Sequence, residues 1–442
     1  MLAASDRTAE AGSIPSSRVF YRRPIRSDPR TTGAQPGDPG RARERPVPNA
    51  PAAKLSLERC TDCGTRLGEP FEVRRRTITD LPPPRPLIFD VEIPRHNCPG
   101  CRRRIEPESA YPKHQPYGFS LVARVVQLRL LGLSTAKIAD YLEGAHGIHL
   151  STAAVLKLER WAAESVAPLY ESLKAQVADQ PGTHADETKF RMGGENGRLW
   201  VFSHPDAVVY RIAPSRGQDV VLEVPEGARG TIVDVGWVPY DILRTARHEF
   251  DLLHANRWLE KEEILHRLGP RPLVQEVPPK LTAAGPPPRE FLEFADGVRW
   301  LLRHAIAWSE RNPDASEEQG RQFYASMRWM TVDHLRKEWH DPGAARIADE
   351  LWKRRTSLST FLVVPGVACH NNEAGTQIRQ GVLYRKISGG RRSWTGAWVL
   401  ERLLSIYRTC RKRSVPFFKV LKDALSGSGY PELGAPSARP QT

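Results

Sequence analysis

The sequence predicts a multidomain α/β protein: a small cysteine-knuckle module and a helical module, followed by an α/β core that a helical insertion interrupts. Three observations lead there. The chain has 442 residues, too many for one ordinary hydrophobic core. Two C-x-x-C pairs lie in a short strand-like stretch near the N-terminus, ahead of a capped helical stretch. Strand-like runs then fill residues 183–235, and long amphipathic helices follow them.

Composition narrows the partner. The formal net charge is +14 and the pI about 9.7. A basic surface suits a polyanion, because each phosphate met by Lys or Arg releases condensed counterions. No run of about 18 apolar residues occurs, so no membrane span is expected. The N-terminus lacks the apolar core of a secretory signal. A cytoplasmic, nucleoid-associated protein is therefore expected. Six cysteines in a chain of this length do not form a disulfide framework, and four of them fall in the C-x-x-C pairs.

Residues 1–52 are rich in Arg, Pro, Gly and Ser without a hydrophobic period, which predicts a disordered basic tail. Residues 53–110 are expected to form a zinc ribbon whose strands come from the alternating run FEVRRRTITDLPPPRPLIFDVEIPRH. Residues 118–178 read as helices. RLWVFSH, AVVYRIAP and GTIVDVG are three strands of a core spanning 180–257 and 361–425. Between these parts lies a helical insertion, 258–360, with a Pro-rich linker at GPRPLVQEVPPKLTAAGPPP. Residues 426–442 are expected to fray.

Cys60 and Cys63, with Cys98 and Cys101, make two knuckles. Four thiolates in a tetrahedron suit Zn²⁺, and a closed set of four points to a structural ion. Gly64 and Gly100 fit the tight turns such knuckles need. A redox C-x-x-C is disfavoured because no βαβ unit lies nearby.

The stretch SLVARVVQLRLLGLSTAKIADYLEGAHGIHLSTAAVLKLERWAAESV holds three helices. Leu121, Val125 and Leu128 share a face of the first. Ser134 or Thr135 caps the second, and Ser151 or Thr152 caps the third. A capped helix followed by a second capped helix, which carries Lys157 and Arg160, is how a helix-turn-helix presents its recognition helix to the major groove. A plain helical bundle would share this pattern.

Asp186, in THADETKF, and Asp234, in TIVDVGWVPYD, each end an extended run. Acids at the ends of neighbouring strands can hold two Mg²⁺ or Mn²⁺ ions about 3.5–4 Å apart. One ion activates an attacking oxygen and the other stabilises the leaving one.

The order of these motifs resembles the DDE transposases of the insertion-sequence family numbered sixty-six. The resemblance covers roughly residues 57–425. It rests on the ribbon and helices, His184 to Thr188 as H-A-D-E-T, Leu199 to Val201 as L-W-V, and Asp234 followed by Trp237 and Tyr240. His254 in DLLHANRWLEKEE continues the match. Asn371, Asn372, Ala374, Arg379, Arg385, Lys386, Ser388, Gly389 and Gly390 complete it in HNNEAGTQIRQGVLYRKISGG. The resemblance implies an RNase H-like core with the insertion between the second Asp and the closing helix.

One position departs from the family: its catalytic Glu falls on Gly375 and the following Arg on Thr376. Glu373 is the nearest acid. Two residues rotate about 200° on a helix, so Glu373 could serve only if the helix starts later. Either Glu373 is a displaced third ligand beside Asp186 and Asp234, or the copy is inactive.

Arg379, Arg385 and Lys386 are candidate phosphate contacts, and SGGRRS offers backbone N–H groups to a phosphate. Cys369 and Cys410 read as ordinary thiols. The family resemblance implies metal-dependent cleavage of element ends and strand transfer into target DNA. It also implies binding to terminal repeats, a homodimer on paired ends, and accessory proteins of the same element. Two rivals remain: a decayed transposase that only binds DNA, and a zinc-containing transcription regulator, which would not need the two Asp side chains to converge.

Overall fold

The structure is a computed structural model. It describes residues 47–429 and Leu433, apart from residues 50, 52–54, 71, 76, 82–83, 108–110, 112–114, 225–229, 237, 244–245 and 269–285. Most of the expected basic tail, Trp237, most of the Pro-rich linker and residues 434–442 thus lie outside the described residues.

The N-terminal stretch is more open than its alternation suggests. Among the described residues only two short strands form there, β1 (His96–Asn97) and β2 (Arg104–Ile105), paired antiparallel. The expected strands over 71–93 are absent among the described residues. Val73, Ile78, Leu81, Leu87 and Ile88 are exposed, so no partner surface rewards extension. Pro84 and Pro86 also remove ladder donors.

Four helices follow: α1 (Phe119–Leu130), α2 (Thr135–His146), α3 (Thr152–Ser165) and α4 (Ala167–Ala178). The serine caps form as expected. Ser134 accepts from the Lys137 N–H at 3.2 Å, and Ser151 from the Ala154 N–H at 3.1 Å. Gly147 ends α2 with φ of 66°, a left-handed conformation that favours glycine.

The sheet has five strands: β3 (Gly182–Met192), β4 (Glu195–His204), β5 (Ala207–Ala213), β6 (Thr231–Asp234) and β7 (Arg247–Phe250). Their spatial order is β5-β4-β3-β6-β7. β3, β4 and β5 form an antiparallel meander, whereas β6 runs parallel to β3 and β7 parallel to β6. A short helix, α5 (Gln218–Glu223), precedes β6, and a 3₁₀ turn (Val238–Ile242) follows it.

Both faces of the sheet are covered. Ala185, Trp200, Phe202, Val209 and Ile232 join the core built by α1 to α4. Phe190, Leu199, Val201, Val208, Tyr210 and Ile212 pack against α11 (Asn372–Ser388) and α12 (Trp394–Lys412). The insertion comprises α6 (Leu252–Leu268), α7 (Arg289–Arg311), α8 (Glu317–Arg336), α9 (Pro342–Lys353) and α10 (Thr360–Val363). Its own core includes Phe291, Phe294, Val298, Ile347 and Leu351. The last helix, α13 (Phe417–Ser426), lies against α1. Contrary to the expected fraying from residue 426, Leu433 is fully buried, and its carbonyl accepts from Gln176 and Arg413.

A buried ionic triad joins α1 and α3 to the end of α11. Glu159 of α3 meets Arg129 of α1 at 2.8 Å and Arg391, just after α11, at 3.5 Å. All three side chains are at most 11% exposed. Breaking such a set strands two cations in a dry site, which costs about 3–5 kcal/mol. Glu159→Ala is expected to lower urea-unfolding stability by about that amount. Arg160→Ala, which removes an exposed pair with Glu164, should change stability by no more than about 0.5 kcal/mol.

Candidate active site at the carboxyl edge of the sheet

Asp186 sits inside β3 rather than at its end. β3 continues to Met192 because its antiparallel pairing with β4 runs on to Met192 opposite Glu195, while parallel β6 stops at Asp234. Asp186 therefore stands where β3 outruns its parallel neighbour. Burial pushes its carboxyl up to about 7; the charge of Asp251 adds to this, and Arg257 and Arg216 oppose it. Its Oδ1 accepts from the Glu187 N–H at 2.8 Å.

Asp234 is turned elsewhere. His184 is in register with Val233, and in-register neighbours share a face. Asp186, two residues beyond His184, lies on that face, while Asp234, one residue beyond Val233, lies on the other. The contacts agree. The Asp234 carboxylate accepts from the Gly236 N–H at 2.5 Å and meets His248 Nδ1 at 3.4 Å. His248 is in register with Ile232, on the face of Asp234. Asp186 and Asp234 therefore leave the sheet from opposite faces near the same edge, and the charges of both act on the buried Tyr240.

The acid that shares the face of Asp186 is Asp251, which follows β7. Glu249 is in register with Val233, so Glu249 and Asp251 both take the face of Asp186. Asp251 ties several elements together. Its N–H donates to the Asp234 carbonyl at 2.9 Å. Its carboxylate accepts from the Leu253 N–H at the start of α6, from Arg257 at 2.9 Å, and from the Asn371 N–H. Burial raises its carboxyl, against the pull of Arg257. Glu249 is fully buried, and burial holds its carboxyl well above the usual range, although the Phe361 and Thr360 N–H groups bond to it. Reading along the sequence missed both residues. The period-two spacing of Glu249 and Asp251 in HEFD was the available signal, and it was absorbed into the match around His254.

The closing helix docks beside these acids through Asn371. Its Nδ2 donates to the Ala185 carbonyl at 2.6 Å, and its Oδ1 faces His184 Nδ1 at 3.1 Å. Burial pushes the His184 ring down to about 4, so it is neutral at pH 7 and donates to this amide. α11 starts at Asn372, so Glu373 lies in its first turn. Ser203 donates to Glu373 at 2.6 Å, Gln377 donates at 3.1 Å, and Lys412 forms an ion pair with it. Burial pushes the Glu373 carboxyl up, but these donors hold it below the ordinary value. A Cβ on Gly375 would meet nothing within 4 Å. Asp186, Asp234 and Glu373 each have hydrogen-bond partners of their own. Among the described residues, no three His, Cys, Asp or Glu side chains form a group able to hold a metal.

The basic candidates divide. Lys157 and Arg160 lie on the exposed face of α3 with Thr152, Ala153 and Leu156. Arg379 and Lys386 are exposed on α11, while Arg385 reaches the Lys189 carbonyl. In SGGRRS the Arg391 N–H is taken by the Arg191 carbonyl at 3.0 Å, so the loop docks on the β3–β4 hairpin. His254 packs edge-on against Phe250 and Trp258, and burial lowers its ring to about 4. Cys410 is buried, and burial pushes the Cys369 thiol up to about 12.

Each C-x-x-C pair closes as a knuckle. The Gly64 N–H donates to the Cys60 carbonyl at 3.0 Å, and the Arg102 N–H to the Cys98 carbonyl at 2.8 Å. Hydrogen bonding lowers the thiols of Cys63 and Cys98. The donor chemistry of each pair fits half of a zinc site, although the two halves do not meet in one group.

Titration of Asp186 gives a check on this geometry. Its folded value, about 7, lies above the ordinary aspartate value of 3.8, so between those values the folded chain keeps a proton that the unfolded chain has lost. The penalty of ionising it grows with pH across that window. Asp186→Asn removes the penalty, so its stability relative to the native chain should rise from about pH 4 to 7 and then level off. Urea-unfolding midpoints of both proteins across that range test this, and a flat difference would contradict the burial.

Residues 114–283 match the family described as Transposase IS66 family. The matched stretch holds α1 to α4, the whole sheet and α6, with Asp186, Asp234, Asp251 and His254. It stops short of α11 and Gly375. The uncharacterized protein y4jO of Sinorhizobium fredii (strain NBRC 101917 / NGR234) is 26% identical over 176 residues, 40% of this chain and 49% of that protein. The chain thus spans about half the length of this curated relative. No helix among the described residues is long and apolar enough to cross a membrane. Residues 114–283 belong to the IS66 transposase family, the one that the separated sequence motifs resemble.

Proposed function

We propose that this protein is an insertion-sequence transposase that cuts and joins DNA by divalent-metal-dependent phosphoryl transfer. The observation that carries the reading is the placement of Asp186: a buried acid, within the matched family stretch, where β3 outruns parallel β6. The sheet order, an antiparallel meander continued by two parallel strands, supports an RNase H-like core. In cleavage, water attacks a phosphorus at the element end, the P–O3′ bond breaks and the 3′-oxygen leaves as a hydroxyl. In joining, that hydroxyl attacks a target phosphate and displaces the target's own 3′-oxygen. Mg²⁺ or Mn²⁺ would supply activation of the attacking oxygen and neutralisation of the leaving one. Hard carboxylate oxygens at the sheet edge fit such ions, which keep several waters. Asp186 is the first ligand in this reading, with Asp234 and Glu373 as the other two that the sequence nominates.

The knuckles would hold one structural Zn²⁺ through Cys60, Cys63, Cys98 and Cys101. The exposed face of α3, with Lys157 and Arg160, would read the terminal repeats as the second helix of a helix-turn-helix. Arg379, Arg385 and Lys386 would position strand phosphates, and the +14 charge favours target DNA of any sequence. The family also implies a homodimer on paired ends and accessory proteins from the same element.

A second reading has its own observation. Gly375 stands at the position of the family glutamate, and Glu373 is bound to Lys412 and Ser203. The chain would then be a decayed transposase that binds element ends without cutting them.

Cleavage of end-containing DNA with Mg²⁺ or Mn²⁺ separates the two. The active reading expects cutting by the native chain and loss of at least about a hundredfold with Asp186→Ala. The decayed reading expects cutting only by Gly375→Glu, a change that meets open space and favours the helix by up to about 1 kcal/mol. Metal analysis should find one zinc per native chain. Cys98→Ser is expected to lose that zinc and lower the midpoint of thermal unfolding. Zinc content unchanged by Cys98→Ser would remove the ribbon from the account.

A further inference from the structure

We propose that Asp251, a residue outside the sequence-nominated triad, is the acidic partner of Asp186 in holding a divalent cation. The inference rests on the phosphoryl-transfer reading above and changes which residues carry it.

Register is the first ground. β6 is parallel to both β3 and β7, and Val233 is in register with His184 on one side and Glu249 on the other. Two residues further on, the same line passes through Asp186 and Asp251. Two strand spacings separate their backbones by roughly 10 Å. That gap suits one cation bound from both sides, since each aspartate oxygen stands a few ångströms from its own backbone and an octahedral Mg²⁺ sits about 2.1 Å from each oxygen. Asp234 falls between them in sequence order but on the opposite face, held by Gly236 and His248.

Charge is the second ground. Arg257 is ion-paired to Asp251 at 2.9 Å, and its charge also acts on Asp186. A positive charge already serves both acids, and its side chain is 40% exposed, free to yield to a smaller cation. The third ground is Glu249. It is fully buried on the same face, and its Oε2 accepts from the Phe361 N–H at 2.9 Å. Its Oε1 has no hydrogen-bond partner, and the charges of Asp251, first, and of Asp234 both act on it. A buried carboxyl oxygen without a donor is costly unless positive charge comes to it.

Mn²⁺ titration of the full-length chain by calorimetry tests the assignment without relying on activity. Asp186→Asn and Asp251→Asn are expected to weaken Mn²⁺ binding on the order of tenfold or more. Asp234→Asn and Glu373→Gln should leave it within about threefold. Asparagine also caps a helix well, so Asp251→Asn should keep the start of α6. If Asp251→Asn nevertheless unfolds, Arg257→Gln decides: tighter Mn²⁺ binding supports the site, and unchanged binding overturns it. Native-like binding by folded Asp251→Asn, with loss in Asp234→Asn, overturns the assignment but keeps the phosphoryl-transfer reading. A native chain that binds end DNA but no Mn²⁺ overturns both.

Discussion

Side chains alternate across a β-strand, and the rest of the site depends on that constraint. The parallel pairing of β3 with β6 sets His184 beside Val233. Every later residue then has its face assigned: Asp186 to one side, Asp234 to the other, Asp251 back to the first. A shift of one residue would exchange these assignments and send Ile232 and Val233 to the wrong cores, so the hydrophobic packing enforces the register. The placement of the acids is thus a by-product of burying apolar strands on both faces, and it needs no special loop geometry.

The same economy links the N-terminal helices to the sheet. α1 to α4 are not an appended module, because Val122, Leu158 and Ala162 share one core with Trp200, Phe202 and Val209. Glu159 strengthens the union by binding a cation from α1 and another from beyond α11. Both arginines also face the Tyr384 ring, at 5.5 and 5.1 Å. DNA bound at the exposed face of α3 would therefore press on a helix whose buried face is ion-paired to the loop closing α11. The N-terminal helices and the sheet share packed contacts here, not a linker.

Much of this was legible along the chain. The serine caps of α2 and α3, the strands RLWVFSH and AVVYRIAP, and the helical insertion follow from local chemistry: cap side chains, period-two alternation and period-3.6 faces. What was not legible depended on pairing partners. Asp186 reads as the end of an extended run within its own segment, yet β4 pairs past it as far as Glu195 opposite Met192. The alternating run 71–93 looked like strands, but alternation yields a strand only when another surface covers one face, and here the apolar side chains stay exposed. Asp251 was invisible as an acid of the site because its significance comes from register across β6, a relation between segments and not within one.

The departure at Gly375 gains a physical meaning from these placements. Glu373 is in the first turn of α11, and about 200° of rotation separates it from the face of position 375. Its carboxylate is spent on Lys412, Ser203 and Gln377, contacts that pin α11 to β4 and α12. Moving it toward Asp186 would leave Lys412, whose side chain is 11% exposed, without that partner. The acidic weight near Asp186 lies instead at the β7–α6 junction, where Asp251 accepts the Asn371 N–H and thereby also seats the start of α11. The buried Asp251 on the strand side is thus tied to the N-cap of α11 by a backbone hydrogen bond.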